Sequence, residues 1–309
     1  MPAGCDRGGR LSILLPAPAK VNLALEVGPR MPDGYHRVRT VLQAVNLCDL
    51  VRLDPGDGIE VTCDSSEVPG GAENLAWRAA RALREAVPRA DLPGVRVHLF
   101  KVIPPAAGLG GASSDAATTL RGLTWLWRVR PSRAKLEELA SRLGSDVPFF
   151  LSGGTALGEG RGDRCRPLPG LPECILVVVC PARRVTTAEV YRRWDEHPRP
   201  HVPEGRGTDA VKGALERGDL PGVAHGLWND LRAVTETLAP EVREIREVLA
   251  ESGALGAEMS GSGPATFGLF DSLAAAARAV ERARARGHRA FLCRPAGAWP
   301  LYPGEGDFP

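Results

Sequence analysis

Residues 95 to 120, "VRVHLFKVIPPAAGLGGASSDAATTL", carry in order an alternating apolar stretch, two prolines, three glycines, a serine pair and a run of small residues. The alternation predicts a strand. Beyond the glycines, Ala116, Ala117, Leu120, Leu123, Thr124 and Trp127 recur at helical spacing, with Ser113 or Ser114 as the cap. A strand, a glycine loop and a helix start in direct succession can be an ordinary connecting turn, but three glycines with a Ser-Ser pair weigh toward a ligand site. Glycine admits positive φ and lets backbone approach a ligand closely, while the helix start offers N–H groups and the positive end of its dipole. Together these make an anion site, and phosphate suits it. A Walker A loop is excluded because no lysine follows the last glycine. Gly108-x-Gly110-x-x-Ser113 falls short of a dinucleotide fingerprint at its third glycine, and the H-R-D and D-F-G signatures of protein kinases are missing.

Around this stretch the chain alternates between strand and helix patterns. "AKVNLALEV" (19 to 27) places Val21, Leu23, Leu25 and Val27 on one face and Asn22, Ala24 and Glu26 on the other, which predicts a strand with one wet face. The Asp33-Gly34 turn signal and "RVRTVLQAV" extend this to antiparallel strands over 19 to 53. Helices are predicted over 73 to 87 and from Pro131-Ser132 to Gly144, the second turning Leu136, Leu139, Ala140 and Leu143 inward. Asp146 follows that stop. "CILVVVC" (174 to 180) reads as a buried strand, 195 to 209 as a loop, 237 to 252 and 272 to 286 as helices, "RAFLC" (289 to 293) as a closing strand, and the last ten residues as a frayed tail. The arginines of 278 to 289 read as the solvated face of a helix whose alanines and Val280 turn inward.

With 309 residues, 43% of them hydrophobic, the chain can bury a full core and is long enough for two domains. Thirty-nine Lys and Arg against 37 Asp and Glu leave no overall field to attract nucleic acid or an acidic membrane. Local groups must therefore hold any anionic ligand. Seven cysteines without a C-x-x-C pair predict free thiols, the apolar "LSILL" is too short for a signal peptide, and no run approaches a membrane span; a cytoplasmic protein is expected.

"PPAAGLGGASSDAATTL" resembles the phosphate loop of the GHMP small-molecule kinases. "PAKVNLALEVGPRMPDGYHRV" resembles the branch of that family acting on 4-diphosphocytidyl-2-C-methyl-D-erythritol, and "ENLAWRAA", "LGSDVPFFLSGGTALGEGRGD" and "MSGSGPATFGLF" agree in order. The resemblance implies an α+β fold of two domains. A ribosomal-protein-S5-like nucleotide domain would span 1 to 165, and a ferredoxin-like domain 166 to 309. It also implies a kinase of non-mevalonate isoprenoid synthesis that uses ATP and Mg2+, with a small-molecule cytidyl substrate and no nucleic-acid or membrane partner, acting as monomer or homodimer. The rivals are another GHMP kinase, of homoserine, sugar or mevalonate type, and a nucleotide-binding module without turnover. Tyr35-His36 argues against the first, since those substrates offer no base to stack, and Lys20 with Asp146 against the second.

By that resemblance Asp146 receives the substrate hydroxyl proton and Lys20 stands beside it, a cation that keeps the carboxylate ionised and balances charge in transfer. Pro104, Ala106, Ala107, Gly108, Leu109, Gly110, Gly111, Ala112, Ser113 and Ser114 form the ATP loop. Ala112 replaces a glycine frequent in the family, which puts the local conformation in question. Asn74 is an adenine-side contact or simply a helix cap. Tyr35 and His36 stack on and hydrogen-bond the cytosine, Asn22 and Lys101 hold the methylerythritol and diphosphate, and Thr187 and Tyr191 form the other side of the cytidine site. Lys101 can equally be a solvated strand-end charge, and Thr187 and Tyr191 core residues of a short helix. No metal ligands are legible.

Overall fold

Two long strands set the frame of the computed structural model, which describes residues 12 to 89, 91 to 196 and 201 to 302. β1 (Ile13–Arg30) and β2 (His36–Gly56) pair antiparallel along nearly their whole length. β2 is long enough to serve two partners on its other edge. Its first part pairs with β5 (Thr155–Gly160), and its last part with β4 (Gly94–Phe100). β3 (Ile59–Cys63) lies beyond β4, and β6 (Arg164–Pro167) beyond β5. Four helices accompany this sheet: α1 (Leu75–Ala86), α2 (Gly111–Leu126), α3 (Arg133–Leu143) and α4 (Val147–Ser152).

A second sheet forms from β7 (Ile175–Cys180), β9 (Gly256–Met259), β10 (Thr266–Phe270) and β11 (Arg289–Cys293) in the order β11-β7-β10-β9, antiparallel throughout. Between β7 and β9 run α5 (Thr187–Glu196), α6 (Thr208–Glu216), α7 (Leu220–Gly226), β8 (Trp228–Asn229), α8 (Arg232–Leu238) and α9 (Glu241–Glu251), and α10 (Leu273–Ala285) precedes β11. The α+β class expected from the sequence is the one observed. Position 165 falls inside β6, which pairs with β5, so the step to the second sheet is made at 168 to 174. β8 then returns to pair with β1 of the first sheet.

Alternating side chains explain how the layers stack. On β2, Leu42, Ala44, Val51 and Leu53 pack with α1 to α4, whereas Val41, Val45 and Leu47 face the cluster shared with the second sheet. On β7, Leu176, Val178 and Cys180 join that shared cluster, and Val177 and Val179 pack under α9 and α10. The middle of β1 and β2 and the length of β7 are thus covered on both faces, which is why "CILVVVC" is apolar without a break, while Arg96 and Phe100 of β4 stay exposed. The same fact corrects the wet face expected of β1. Asn22 and Ala24 are buried, and only Glu26 is part-exposed.

Two other expectations change. Ser113 and Ser114 do not cap α2: the cap is Gly110, left-handed at φ 74°, with no side-chain hydrogen bond. Ala112 lies inside the helix, and within the loop it is Ala106 that takes positive φ without being glycine, at 54°. The start of the tail is packed rather than frayed. Within it Leu301 is buried and Pro300 O accepts from Arg121 at 3.1 Å; just before it Trp299 lies against Gly153, where a Cβ would come within 2.1 Å of its ring, and its indole N–H donates to Phe150 O at 3.2 Å. The remainder of the tail and residues 197 to 200 of the expected loop lie outside the described residues; α5 occupies the start of that loop. Trp299→Ala should lower unfolding free energy by about 2 to 3 kcal/mol, below the full cost of a buried Trp because the ring is half-buried. Urea unfolding measures this, and an unchanged midpoint would mean that the closing segment is not part of the cooperative core.

Candidate active site

The loop from Pro104 to Gly110 owes its shape to backbone, not side chains. Gly108 (φ 80°) and Gly110 (φ 74°) are left-handed. At Gly108 a Cβ would lie 2.2 Å from Ser260 O; at Gly110 it would lie 2.8 Å from the Phe150 ring and 3.2 Å from Lys20 Cγ. Only glycine meets both demands. The loop carbonyls are taken up by protein: Ala107 O accepts from Ala265 N (3.1 Å), Gly108 O from Ser260 Oγ (3.0 Å) and Leu109 O from Lys20 N (3.0 Å). The first turn of α2, without a side-chain cap, opens into a cleft of about 830 Å³.

Lys20 and Asp146 meet at the centre of that cleft. Lys20, on β1, is 3% exposed; its ammonium donates to Asn22 Oδ1 at 2.6 Å and lies 3.7 Å from Asp146 Oδ2. Asn22 in turn donates to Thr40 Oγ1 at 2.7 Å. Asp146 opens α4 without capping it, which leaves its carboxylate, one third exposed, free to face the cleft.

At the other end the β1–β2 turn and α5 build an aromatic platform. Tyr35 N donates to Asp33 Oδ1 (3.1 Å) and Gly34 takes φ 87°, so Tyr35 is presented 57% exposed with the Arg161 guanidinium 5.2 Å from its ring centre. His36 is buried, bonded to Asp195 at 2.7 Å and stacked on Tyr191 at 5.1 Å. Burial, with Asp146 and Asp230 nearby, pushes the Tyr191 phenol well above its ordinary range, so the ring stays neutral. Thr187 Oγ1 shares a 2.9 Å hydrogen bond with Ser262 Oγ.

Every residue singled out in the sequence lines this one cleft except Ser114, whose hydroxyl is fully buried and without a partner. Asn74 both caps α1, accepting from Ala76 N at 2.8 Å, and lines the wall. Lys101 reaches the wall too, but its ammonium is held by two buried carboxylates, Asp49 and Asp115. Burial opposes its charge, yet the two acids outweigh that and raise its pKa. Sequence reasoning missed Asp49, Asp115, Asp195 and Ser260. Of these, Asp115, inside "GLGGASSDAATTL", and Ser260, inside "MSGSGPA", sat in recognised motifs.

A two-sheet α+β fold whose glycine loop precedes a buried helix and whose "GSGPA" turn closes on that loop defines a GHMP kinase. The GHMP kinases N-terminal domain matches residues 74–154, and the GHMP kinases C-terminal domain residues 211–289. A 4-diphosphocytidyl-2-C-methyl-D-erythritol kinase of Pelotomaculum thermopropionicum is 43% identical over 90% of this chain and 96% of its own. One of Moorella thermoacetica is 45% identical over 83% and 90%. A crystal structure of 4-(cytidine 5'-diphospho)-2C-methyl-D-erythritol kinase superposes with TM-score 0.76 at 39% identity, over 92% of this chain and all of the other. The chain belongs to the 4-diphosphocytidyl-2-C-methyl-D-erythritol kinase family of the GHMP kinases.

Gly110→Val would force a β-branched residue into left-handed backbone against Phe150, so nucleotide affinity should fall about tenfold or more while the protein stays folded. Nucleotide titration with circular dichroism checks it; an unchanged dissociation constant would remove the loop as the phosphate cradle.

Proposed function

We propose that the chain transfers the γ-phosphoryl group of ATP to the 2-hydroxyl of 4-diphosphocytidyl-2-C-methyl-D-erythritol, yielding ADP and the 2-phosphate. One observation carries this reading: a single cleft holds the glycine loop at one end, the aromatic platform at the other, and the Lys20–Asp146 pair between them. Phosphoryl transfer needs the reacting groups positioned and the developing charge stabilised more than it needs covalent chemistry. Loop amides and the first turn of α2 hold the phosphates. Tyr35 stacks on the cytosine, while His36, oriented by Asp195, and Tyr191 bound the base pocket. Asp146 accepts the hydroxyl proton as Lys20 steadies its charge.

Among the described residues no group of three or more His, Cys, Asp or Glu side chains could hold a metal. Asp146, part-exposed on the cleft wall, is a carboxylate that would face a magnesium ion held chiefly by phosphate oxygens and water. When bound, the ion neutralises phosphate charge.

The six cysteines among the described residues are free, and no described helix is long and apolar enough to cross a membrane. A reducing cytoplasmic setting suits such thiols. ADP release with the cytidyl alcohol, and none with homoserine, mevalonate or simple sugars, tests the assignment; absence of turnover on any alcohol would leave a binding module.

Asp146→Asn keeps shape but removes the base, and turnover should drop by about 10² to 10⁴ with ATP affinity nearly unchanged. Lys20→Met should act on the same step, so the double variant should be scarcely slower than the worse single one. Multiplicative losses in that cycle would show independent action. Tyr35→Ala should weaken the cytidyl substrate by about 1 to 3 kcal/mol and leave ATP binding alone. Equal losses for both ligands would make Tyr35 a structural residue.

A further inference from the structure

Lys101 precedes the phosphate loop and Asp115 follows it, and the two are joined beneath it by a buried ion pair. Asp49, from β2, completes the cluster through Oδ2 to the same ammonium. Its Oδ1 accepts from Val102 N (2.6 Å) and Ile103 N (2.8 Å), the residues that lead into the loop. Lys101's own N–H is held by Asp64 Oδ1 at 2.9 Å. A Cβ on Gly111 would stand 3.4 Å from Asp49 Oδ2, so the first turn of α2 rests directly on the cluster. Asp49 and Asp115 are 0% and 2% exposed, and Asp115 Oδ1 has no partner. Two buried acids on one ammonium are a poor way to stabilise a fold, since desolvation offsets most of the attraction. Their placement matters more: one lysine ties both ends of the loop to the sheet below.

We infer that Lys101, Asp49 and Asp115 form a clasp that preorganises the phosphate loop, and so govern ATP affinity without touching ATP; this rests on the loop at 106 to 114 holding ATP. Closing the base of a flexible loop before the ligand arrives removes part of the ordering cost of binding. Lys101 is then a positioning residue. Its ammonium is committed to the clasp and not to the substrate's diphosphate.

Steady-state kinetics with ATP and the cytidyl alcohol test this. Asp115→Ala opens the clasp without orphaning an acid, and should raise the KM for ATP about fivefold or more, while kcat at saturating ATP and the KM for the alcohol change little. Asp115→Asn should recover most of that loss, because its amide oxygen can face Lys101. Lys101→Met should show the same ATP-selective pattern more strongly; if it does not fold, the Asp115 pair decides alone. An unchanged KM for ATP in Asp115→Ala overturns the clasp. So does a Lys101→Met protein whose KM rises for the alcohol alone, which would make Lys101 a substrate contact. Gly110→Val is the control. Affinity lost there but kept in Asp115→Ala sinks the clasp only, whereas affinity kept in both sinks the loop assignment beneath it.

Discussion

Three successive carbonyls, of Ala107, Gly108 and Leu109, are each bonded to protein, and the rest of the site depends on that. A peptide unit has two polar ends on opposite sides. Once its oxygens are committed to the wall, the amide side of the loop is left for the cleft, where a phosphate can use it. The donors come from both halves of the molecule: Lys20 N from β1, and Ser260 Oγ and Ala265 N from the turn after β9. The loop is therefore a joint between the two sheets. Glycine at 108 is what lets Ser260 O approach so closely. This also explains why strands far apart in sequence must pack before any phosphate site exists.

Charge in the cleft follows the same economy. Lys20 has its ammonium shared between Asn22 and Asp146, and Lys101 is committed to Asp49 and Asp115. Neither lysine is free to act as a general anion trap. Burial first, and then Asp49, push the Asp115 carboxyl well above its ordinary range against the pull of Lys101. With its lysines paired, the deep wall favours ligands that present phosphate to backbone amides over ligands that merely carry negative charge.

The sequence was most informative where local pattern and tertiary role coincide. The 3.6-residue spacing from Leu136 to Leu143 and the Ser132 cap read directly as α3, because that helix has one buried face. α2 is buried on every side from Ser114 to Thr124, so no amphipathic stripe marks its start, and the sequence pattern points to a serine cap where the backbone uses Gly110. β5 hides in "TALGEG", where glycines normally argue against a strand; Gly158 is needed because a Cβ would press within 3.1 Å of Thr40. Partners supplied from a distance left no local trace. Asp49 lies 52 residues from Lys101, and Asp195 lies 159 from His36, and neither separation has a periodicity to betray it. Lys20 and Asp146 were paired through resemblance to known kinases alone, and the structure puts them 3.7 Å apart.

The two ends of the cleft are built on different physical terms. On the proposed reading the phosphate end is backbone locked into two sheets, where a side chain at Gly108 or Gly110 meets a close contact. The base end is a short turn and one face of α5, held by a few side-chain contacts: Tyr35 beneath Arg161, His36 against Asp195 and Tyr191, Thr187 against Ser262. Side-chain contacts of this kind can be exchanged one at a time without moving a strand. On the proposed reading, a fold made this way can keep its chemistry while its alcohol substrate changes, because side chains select the substrate and backbone holds ATP, the two ends being joined through the Lys20–Asp146 pair and the "GSGPA" turn.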